Sequence, residues 1–314
     1  MSTALPLKYR PKTFDEFIGS APSVNSLKKL LDRGIEKIPN SFLFNGPPGC
    51  GKTTLARIAR DYLKCDPSAF FEFNAGNTCF IDTIRGIQSE VGLHPRVGDV
   101  KIYLLDESHR LTGDAQNALL KLLEDGVGKN TFIFLATTNP EQLLKPIRSR
   151  CTSVKVGKLP LKAIQEHVAW VLEEEIGAEE ARQFKDEGII KEISLACDGA
   201  MRDALKLLDS VIDMEDFDDM VEIIREGFID ESTSFIELCR LLNDEKTKWK
   251  QIGTHLKTFD EDPEKARRSI LGYFSKILMN GGGQRQAVIL DSFREPYFNT
   301  GKAGLVLSCC QVIM

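Results

Sequence analysis

The residues with the clearest chemistry form a glycine-rich loop, Gly46-Pro-Pro-Gly-Cys-Gly-Lys52-Thr53, which fits the pattern G-x-x-x-x-G-K-[ST]. Glycines let backbone N–H groups turn inward around phosphate oxygens, and a following helix adds its positive N-terminal end. In this pattern Lys52 reaches the β- and γ-phosphates, and the Thr53 hydroxyl is offered to Mg²⁺. The alternative is a glycine-rich turn without a ligand. A short apolar run before the loop and a helical pattern after it favour phosphate binding.

A second candidate lies where an apolar run ends in two acids. Residues 100–106 form a strand pattern that finishes at Asp106, and Glu107 follows. Ligands of parallel sheets bind at this end of the strands. Asp106 would hold Mg²⁺ through water, and Glu107 would orient or deprotonate an attacking water. The simpler alternative is a helix-capping Asp beside a surface Glu, which is less favoured about 50 residues after a phosphate loop.

Composition limits the class of protein that carries these motifs. The chain has 314 residues, of which 42% are apolar and 28% charged, so we expect a soluble globular protein of two or three domains. A net charge of -5 excludes a wholly basic protein but still permits a local basic patch for nucleic acid. Its eight cysteines include no Cys-x-x-Cys pair, so we expect neither a zinc ribbon nor a disulfide scaffold.

The sequence carries no membrane or export signal that we can identify. No apolar run reaches about 18 residues, so we expect no transmembrane helix and no membrane partner. The first eleven residues lack the apolar core of a secretory signal. These features, with the sparse cysteines, favour a reducing intracellular setting.

The pattern of elements predicts an α/β fold followed by helices only. Strand patterns alternate with helical ones, which indicates a parallel sheet wrapped by helices. The predicted strands are 41–45, 70–74, 100–106, 131–137 and 152–156, and the intervening helices include 52–62 and 114–124. After Pro160 we predict helices at 161–176, 179–196, 200–212 and 217–226, then a further set from about 231 that is broken near 281–283.

Charge is distributed unevenly along the chain. Residues 1–60 hold ten basic and four acidic residues, residues 211–245 hold two basic and twelve acidic ones, and residues 246–314 hold eleven basic and six acidic ones. An acidic stretch between basic ones suggests a domain boundary, although a solvated helix face would look the same. We place the boundaries near residues 158 and 228.

Further motifs accompany the phosphate loop along the chain: Leu7–Pro11 with Phe14–Gly19, Asn74–Asn77 with Ile81–Arg85, Asp106–His109, Leu135–Asn139, Ser149–Cys151 and Gly199–Leu205. Together and in this order they resemble the AAA+ ATPases, and within them the clamp-loader subunits of DNA replication. The chain is similar both to the bacterial motor subunit and to the small subunits of replication factor C. The resemblance is detailed over residues 5–210 and only architectural after about 228. It implies a P-loop AAA+ parallel-sheet domain (1–158), a helical lid (159–228) and an all-α collar used for oligomerisation (229–314).

The resemblance assigns further roles. Arg150 is implied to be an arginine finger that reaches the ATP of a neighbouring subunit, and Arg202 to contact the γ-phosphate within its own subunit. Thr138 is the predicted sensor-1 residue, with Asn139 as the alternative. Asn74 either holds Glu107 away until DNA arrives or forms a turn at a strand end. The implied nucleotide-binding set is Tyr9, Arg10, Ile18, Gly49, Cys50, Gly51, Lys52, Thr53, Thr54, Asn139 and Arg202.

One departure from the bacterial motor subunit is clear. That subunit has a zinc module after the phosphate-loop helix, whereas here only Cys65 stands there and Phe70 follows shortly. The four histidines (His94, His109, His167 and His255) are scattered, so each is interpreted as a surface or hydrogen-bonded residue and no metal other than Mg²⁺ is expected.

Contacts with DNA and with a clamp are predicted by resemblance. Arg85, Arg110 and Thr78 are the candidates for gripping DNA phosphates, although each alone is typical of a solvated surface residue. Three apolar positions, Ile87, Val91 and Leu93, could touch the clamp, but we favour a core role for them.

The function implied is ATP hydrolysis by a clamp-loader subunit that opens a sliding clamp and loads it on primer–template DNA. The cofactors would be ATP and Mg²⁺. Partners would be other loader subunits, with a pentamer favoured, the clamp, the DNA and, indirectly, the replicative polymerase. The setting would be the cytoplasm of a bacterial or phage-infected cell, or elsewhere inside a cell with the replisome. The alternatives are another AAA+ DNA-dependent ATPase, such as a branch-migration helicase or a recombination-linked enzyme, and a non-hydrolysing nucleotide-binding scaffold.

Overall fold

The structure, a computed structural model, describes residues 4–76, 80–95, 97–226, 233–244, 246–259, 262–279, 281–297 and 300–313. The chain divides into two compact units. The first comprises Met1–Ala178 and Gly199–Asp209, and the second comprises Glu179–Asp198 and Ser210–Met314. The predicted lid, residues 159–228, contributes to both units, and its boundary at 228 lies outside the described residues. The three-domain division therefore stays a prediction.

The first unit is built on a five-stranded sheet in which every neighbouring pair is parallel. Its spatial order is β2-β3-β4-β1-β5. The strands are β1 (Ser41–Asn45), β2 (Phe70–Asn74), β3 (Lys101–Asp106), β4 (Thr131–Thr137) and β5 (Thr152–Lys155). The five predicted strands are thus confirmed to within a residue or so at their ends, and so is the α/β class.

The helices up to residue 176 are α1 (Leu5–Lys8), α2 (Ala21–Leu31), α3 (Lys52–Tyr62), α4 (Phe80–Glu90), α5 (Gly113–Asp125), α6 (Lys145–Arg150) and α7 (Leu161–Ile176). Helices α2 and α3 contribute to the core on one face of the sheet, and α4, α5 and α6 contribute to the core on the other. Alternate residues of each central strand enter opposite cores, because successive side chains of a strand point to opposite faces. Phe42, Phe44 and Phe134 pack in one core and Leu43 and Leu135 in the other.

The carboxyl ends of the inner strands meet at one edge of the sheet. The register pairs Asn45 with Thr137 and Asn74 with Asp106. The loop after β1 and the residues after β3 and β4 therefore emerge side by side. Parallel sheets of this kind bind ligands at this edge.

The remaining helices are α8 (Ala178–Asp186), α9 (Ile189–Ala196), α10 (Met201–Val211), α11 (Phe217–Glu226), α12 (Thr233–Asn243), α13 (Trp249–Thr258), α14 (Pro263–Met279), α15 (Gln284–Ser292) and α16 (Lys302–Ile313). The single helix predicted over 179–196 is wrong. Gly188 has φ +80, a left-handed conformation that interrupts it between α8 and α9. Helices α12 to α16 share one apolar core that includes Phe235, Phe274 and Phe293. Within the described ranges, no helix is long and apolar enough to cross a membrane.

Candidate functional site

The phosphate loop joins β1 to α3 and depends on glycine at two close approaches. A Cβ on Gly46 would lie 1.8 Å from the Val156 carbonyl oxygen. Gly51 has φ +97, and a Cβ there would lie 2.9 Å from the Phe17 ring. Gly51 also immediately precedes α3 and has no side chain to cap the free N–H groups of its first turn. Those N–H groups remain available to an anion.

Lys52 lies at the start of α3 and is buried, with 7% of its surface exposed. Its Nζ donates a hydrogen bond to the Pro47 carbonyl at 2.9 Å. Burial lowers the pKa of Lys52, while the nearby Glu107 and Asp106 carboxylates act in the opposite direction. The ammonium group therefore sits in a desolvated position beside two acids, where a phosphate would compensate its charge.

Thr53 and Asp106 meet across the sheet edge. The Thr53 hydroxyl donates to Asp106 Oδ2 at 2.8 Å, and the backbone N–H of Glu107 donates to Asp106 Oδ1 at 2.9 Å. Hydroxyl and carboxylate oxygens are the hard ligands that Mg²⁺ prefers, so this pair fits the ion expected with a nucleotide. The described residues contain no cluster of three or more His, Cys, Asp or Glu side chains that could hold a metal.

Glu107 is held by a small network that the sequence interpretation did not include. Its backbone is in the left-handed region, with φ +52. Its Oε2 lies 3.4 Å from His109 Nδ1, which also lies 3.1 Å from the Thr137 hydroxyl. The Thr137 hydroxyl in turn accepts a hydrogen bond from the Asn139 backbone N–H at 3.1 Å. This network connects the acidic motif to the end of β4.

The predicted sensor residues follow β4 directly, and Thr138 and Asn139 are both partly buried. Thr137, one residue earlier, is the residue whose hydroxyl contacts His109. A signal for Thr137 was present in the sequence, because it is the last residue of the predicted strand.

Asn74 ends β2 opposite Asp106. Its side-chain oxygen accepts a hydrogen bond from the Gly76 backbone N–H at 2.9 Å, which closes a local turn. The Arg110 guanidinium lies against the same turn, 2.7 Å from where a Cβ of Gly76 would stand. A regulatory role for Asn74 stays a prediction.

Arg110 is one of the three residues predicted to contact DNA, and the other two are Arg85 and Thr78. Arg85 is exposed on α4, with Nη1 3.6 Å from Asp82 Oδ1. Thr78 lies outside the described residues.

A cavity of about 80 Å³ opens beside the phosphate loop. It brings together eight predicted residues: Tyr9, Arg10, Ile18, Gly49, Cys50, Gly51, Thr54 and Arg202. It also brings in residues to which the sequence interpretation assigned no role in the site: Phe17, Met201 and Leu205, which lie inside the motifs named above, and Leu159 and His167, which do not. Leu159 and His167 carry no local phosphate-binding signal.

The charges around this cavity are mainly positive. Burial lowers the pKa of Arg10, and the nearby Arg57 and Arg202 lower it further. Arg202 also lowers the pKa of Lys52. Like charges gathered around one cavity repel each other, so an anionic ligand would relieve the repulsion.

Arg150 is the last residue of α6 and lies away from this cavity's lining. Its Nη1 donates to the Pro146 carbonyl at 3.1 Å, and its Nη2 lies 2.7 Å from Glu124 Oε1 on α5. Its side chain is 39% exposed. The next residue, Cys151, is buried, and burial raises the pKa of its thiol to about 12. That excludes a thiolate nucleophile here at neutral pH.

The chain is similar in sequence to several known proteins. A family profile described as the delta subunit of DNA polymerase III matches residues 72–160. The chain is 29% identical to the tau subunit of DNA polymerase III from Bacillus subtilis, over 88% of this chain and 52% of that protein. It is 33% identical to the gamma subunit from Buchnera aphidicola, over 65% of this chain and 60% of that protein. It is also 33% identical to the replication factor C small subunit from Staphylothermus marinus, over 64% of this chain and 59% of that protein.

Among solved structures, the Holliday junction branch migration motor RuvB of Thermotoga maritima shares the fold. It aligns with a TM-score of 0.57 and 21% identity, over 80% of this chain and 86% of that one. The chain spans about three fifths or less of the polymerase and replication factor C proteins it matches. The chain that carries this parallel sheet, phosphate loop and acidic strand end is thus similar in sequence to the tau and gamma subunits of DNA polymerase III and to the replication factor C small subunit.

Proposed function

We propose that this chain is an ATP-hydrolysing subunit of a clamp loader, which opens a sliding clamp and loads it on primer–template DNA. One observation carries the enzymatic part. A cavity bordered by Arg10 and Arg202 adjoins a phosphate loop whose Lys52 is desolvated beside Asp106 and Glu107. A polyanion would offset the mutual repulsion of these cationic groups, and a nucleoside triphosphate also suits the glycine-rich loop with its phosphates.

The residues divide the chemistry among them. Lys52 and Arg202 would bind the terminal phosphates, while Thr53 and Asp106 would hold Mg²⁺, which would supply positive charge against the phosphates. Glu107 accepts a proton from the attacking water, and His109 keeps its carboxylate oriented through the 3.4 Å contact. Thr138 or Asn139 senses the γ-phosphate from the end of β4.

Assembly would complete the site. Arg150 is partly exposed, and among the described residues its guanidinium contacts Glu124 and the Pro146 carbonyl, so it can be presented to a neighbouring subunit's triphosphate. We propose that residues 159–228 act as the lid and 229–314 as the collar of a pentameric loader inside the cell.

Contacts with DNA and the clamp extend the proposal. Arg85, Arg110 and Thr78 would contact DNA phosphates. Of the three apolar positions near α4, Ile87 and Val91 are buried, whereas Leu93 is 64% exposed. Leu93 is therefore our candidate for the clamp contact, and the other two belong to the core.

Steady-state ATPase assays test the proposal. Primer–template DNA and a sliding clamp are added separately and together, with Arg150→Ala in parallel. We expect synergistic stimulation that is lost in the variant. Stimulation by DNA alone, indifferent to the clamp, would replace the proposal with a branch-migration type of ATPase. ATP binding without turnover under any condition would instead indicate a nucleotide-binding scaffold.

A further inference from the structure

The nucleotide cavity has a second wall that the phosphate loop does not provide. Tyr9 and His167 both line the cavity, and both rings pack on Trp170, with centroids 5.4 Å and 5.3 Å away. His167 and Trp170 lie on α7. Apolar side chains surround them in the lining: Pro6, Ile18, Leu159, Met201 and Leu205. We call this region the α7 wall.

The hydroxyl of Tyr9 already has a hydrogen-bond partner. Its hydroxyl donates a hydrogen bond to Glu175 Oε1, to which Lys8 Nζ is also bonded at 2.6 Å. Trp170 meets the Tyr9 ring at 86°, an edge-on contact. Tyr9 can therefore offer its ring face to a ligand, but its hydroxyl is already used.

The ring nitrogens of His167 differ from the Tyr9 hydroxyl in this respect. Among the residues that the structure describes, its ring nitrogens have no hydrogen-bond partner. Burial lowers the pKa of its imidazole, so the ring is neutral at pH 7. A neutral imidazole has one N–H donor and one acceptor nitrogen. The His167 ring is partly buried and lines the cavity, so its nitrogens are available to a ligand there.

We infer that His167 hydrogen-bonds the edge of the adenine base and contributes to nucleotide affinity. This inference rests on the proposed function and names the part of the ligand that α7 recognises. A flat heteroaromatic ring suits the apolar lining, and the acceptor nitrogen of His167 suits the 6-amino group of adenine. A base without that amino group leaves the acceptor unpaired.

A double-mutant cycle between protein and ligand tests the inference by calorimetric titration. The ligands are ATP and purine riboside triphosphate, which lacks the 6-amino group. The proteins are wild type, His167→Leu and His167→Gln, each checked for folding by thermal melting. In wild type we expect ATP to bind about fivefold tighter than the analogue, the effect of one neutral hydrogen bond. The preference should vanish in His167→Leu and persist in part in His167→Gln, whose amide still has an acceptor.

Equal losses for both ligands in His167→Leu would overturn the inference, because they would mean that His167 only packs against the base. An unchanged affinity in that variant would overturn it as well. Lys52→Ala separates this failure from that of the proposed function. If Lys52→Ala binds ATP as tightly as wild type does, the site itself is misassigned. If binding needs Lys52 but shows no coupling to His167, only the role of His167 fails.

Discussion

Two buried lysines at opposite ends of the sheet show how similar burial can serve different purposes. Lys52 follows the carboxyl end of β1, whereas Lys101 begins β3 at the other end of the sheet. They are 7% and 5% exposed, and burial lowers the pKa of both. Lys52 donates to one carbonyl, that of Pro47. Lys101 donates to two, those of Glu90 and Leu93, both at 2.6 Å.

The two lysines differ in which groups interact with the ammonium nitrogen. The carbonyls that meet Lys101 come from the last residue of α4 and the turn after it, where a cation also matches the helix dipole. The Lys101 ammonium lies 5.8 Å from the centroid of the Tyr103 ring as well. The protein itself therefore supplies the groups that interact with the Lys101 ammonium group. Lys52 has carboxylates near it and adjoins an open cavity. A ligand in that cavity would therefore supply further interactions with its ammonium group.

The largest expected effect is on turnover in Lys52→Ala. Loss of a charged donor at the phosphates should lower kcat by about 10²–10³-fold. Removing a desolvated charge should leave the thermal stability of the nucleotide-free protein unchanged or slightly higher. ATPase assays and thermal melts without nucleotide measure the two. A large drop in thermal stability would instead indicate that Lys52 is a structural lysine like Lys101, and the proposed difference between the two would be wrong.

Glu107→Gln tests whether binding and turnover depend on different residues of the site. An amide cannot accept the proton of the attacking water, so we expect turnover to fall about 100-fold while ATP still binds. Nucleotide titration and single-turnover hydrolysis separate the two effects. Turnover close to that of wild type would remove Glu107 from the role of general base.

The opposite pattern is expected for Lys101→Met. Methionine fills similar volume but leaves two carbonyls without their donor, which should destabilise the protein by about 3 kcal/mol. ATP affinity should stay within about twofold, because Lys101 lies at the far end of the sheet. Urea unfolding and calorimetric titration are the measurements. Weakened ATP binding at unchanged stability would show that the two ends of the sheet are not independent.

A buried ion cluster in the second unit extends the contrast to a carboxylate. Burial alone would raise the pKa of Glu264, but hydrogen bonds from Arg267 and from the Tyr297 backbone N–H outweigh it and lower the pKa to about 2. Because the folded-state pKa is the lower one, this stabilisation is complete above the unfolded value near 4.5 and is lost as pH falls toward 2.

Glu264→Gln should therefore cost about 2 kcal/mol at pH 7 and progressively less below pH 4. Urea unfolding of both proteins at pH 7, 4 and 3 provides the comparison. A difference in stability that is independent of pH would indicate that the Glu264 charge is not what stabilises the cluster.

The fold was predictable where the signal is local. Apolar runs such as 131–137 become strands because they are long enough for a strand and end at turn-forming residues. The phosphate loop and Asp106 are brought together as predicted because strands β1 and β3 are parallel and end at one edge. The helix predicted over 179–196 failed because a single Gly188 in the left-handed region outweighs a continuous apolar pattern.

Parts of the site were not predictable because they depend on contacts between distant segments. Nothing near His109 in the sequence indicates that its ring lies between Glu107 and the Thr137 hydroxyl. The same holds for His167, whose place in the cavity wall follows from the packing of α7 near the first helix. Burial of Ile87 and Val91 beside an exposed Leu93 likewise depends on how α4 lies on the sheet.

The sequence by itself determined the chemistry that is available: a loop of glycines with Lys52 and Thr53, an acidic strand end, and the order of motifs that marks the family. Each depends on residue type and short-range spacing, which the chain fixes before it folds. Tertiary structure alone decided which groups are left without partners. Lys101 donates to two backbone carbonyls and the hydroxyl of Tyr9 donates to Glu175, whereas the His167 ring faces the cavity. Burial and hydrogen-bond satisfaction depend on the whole packed chain, and these two properties distinguish a binding residue from a structural one.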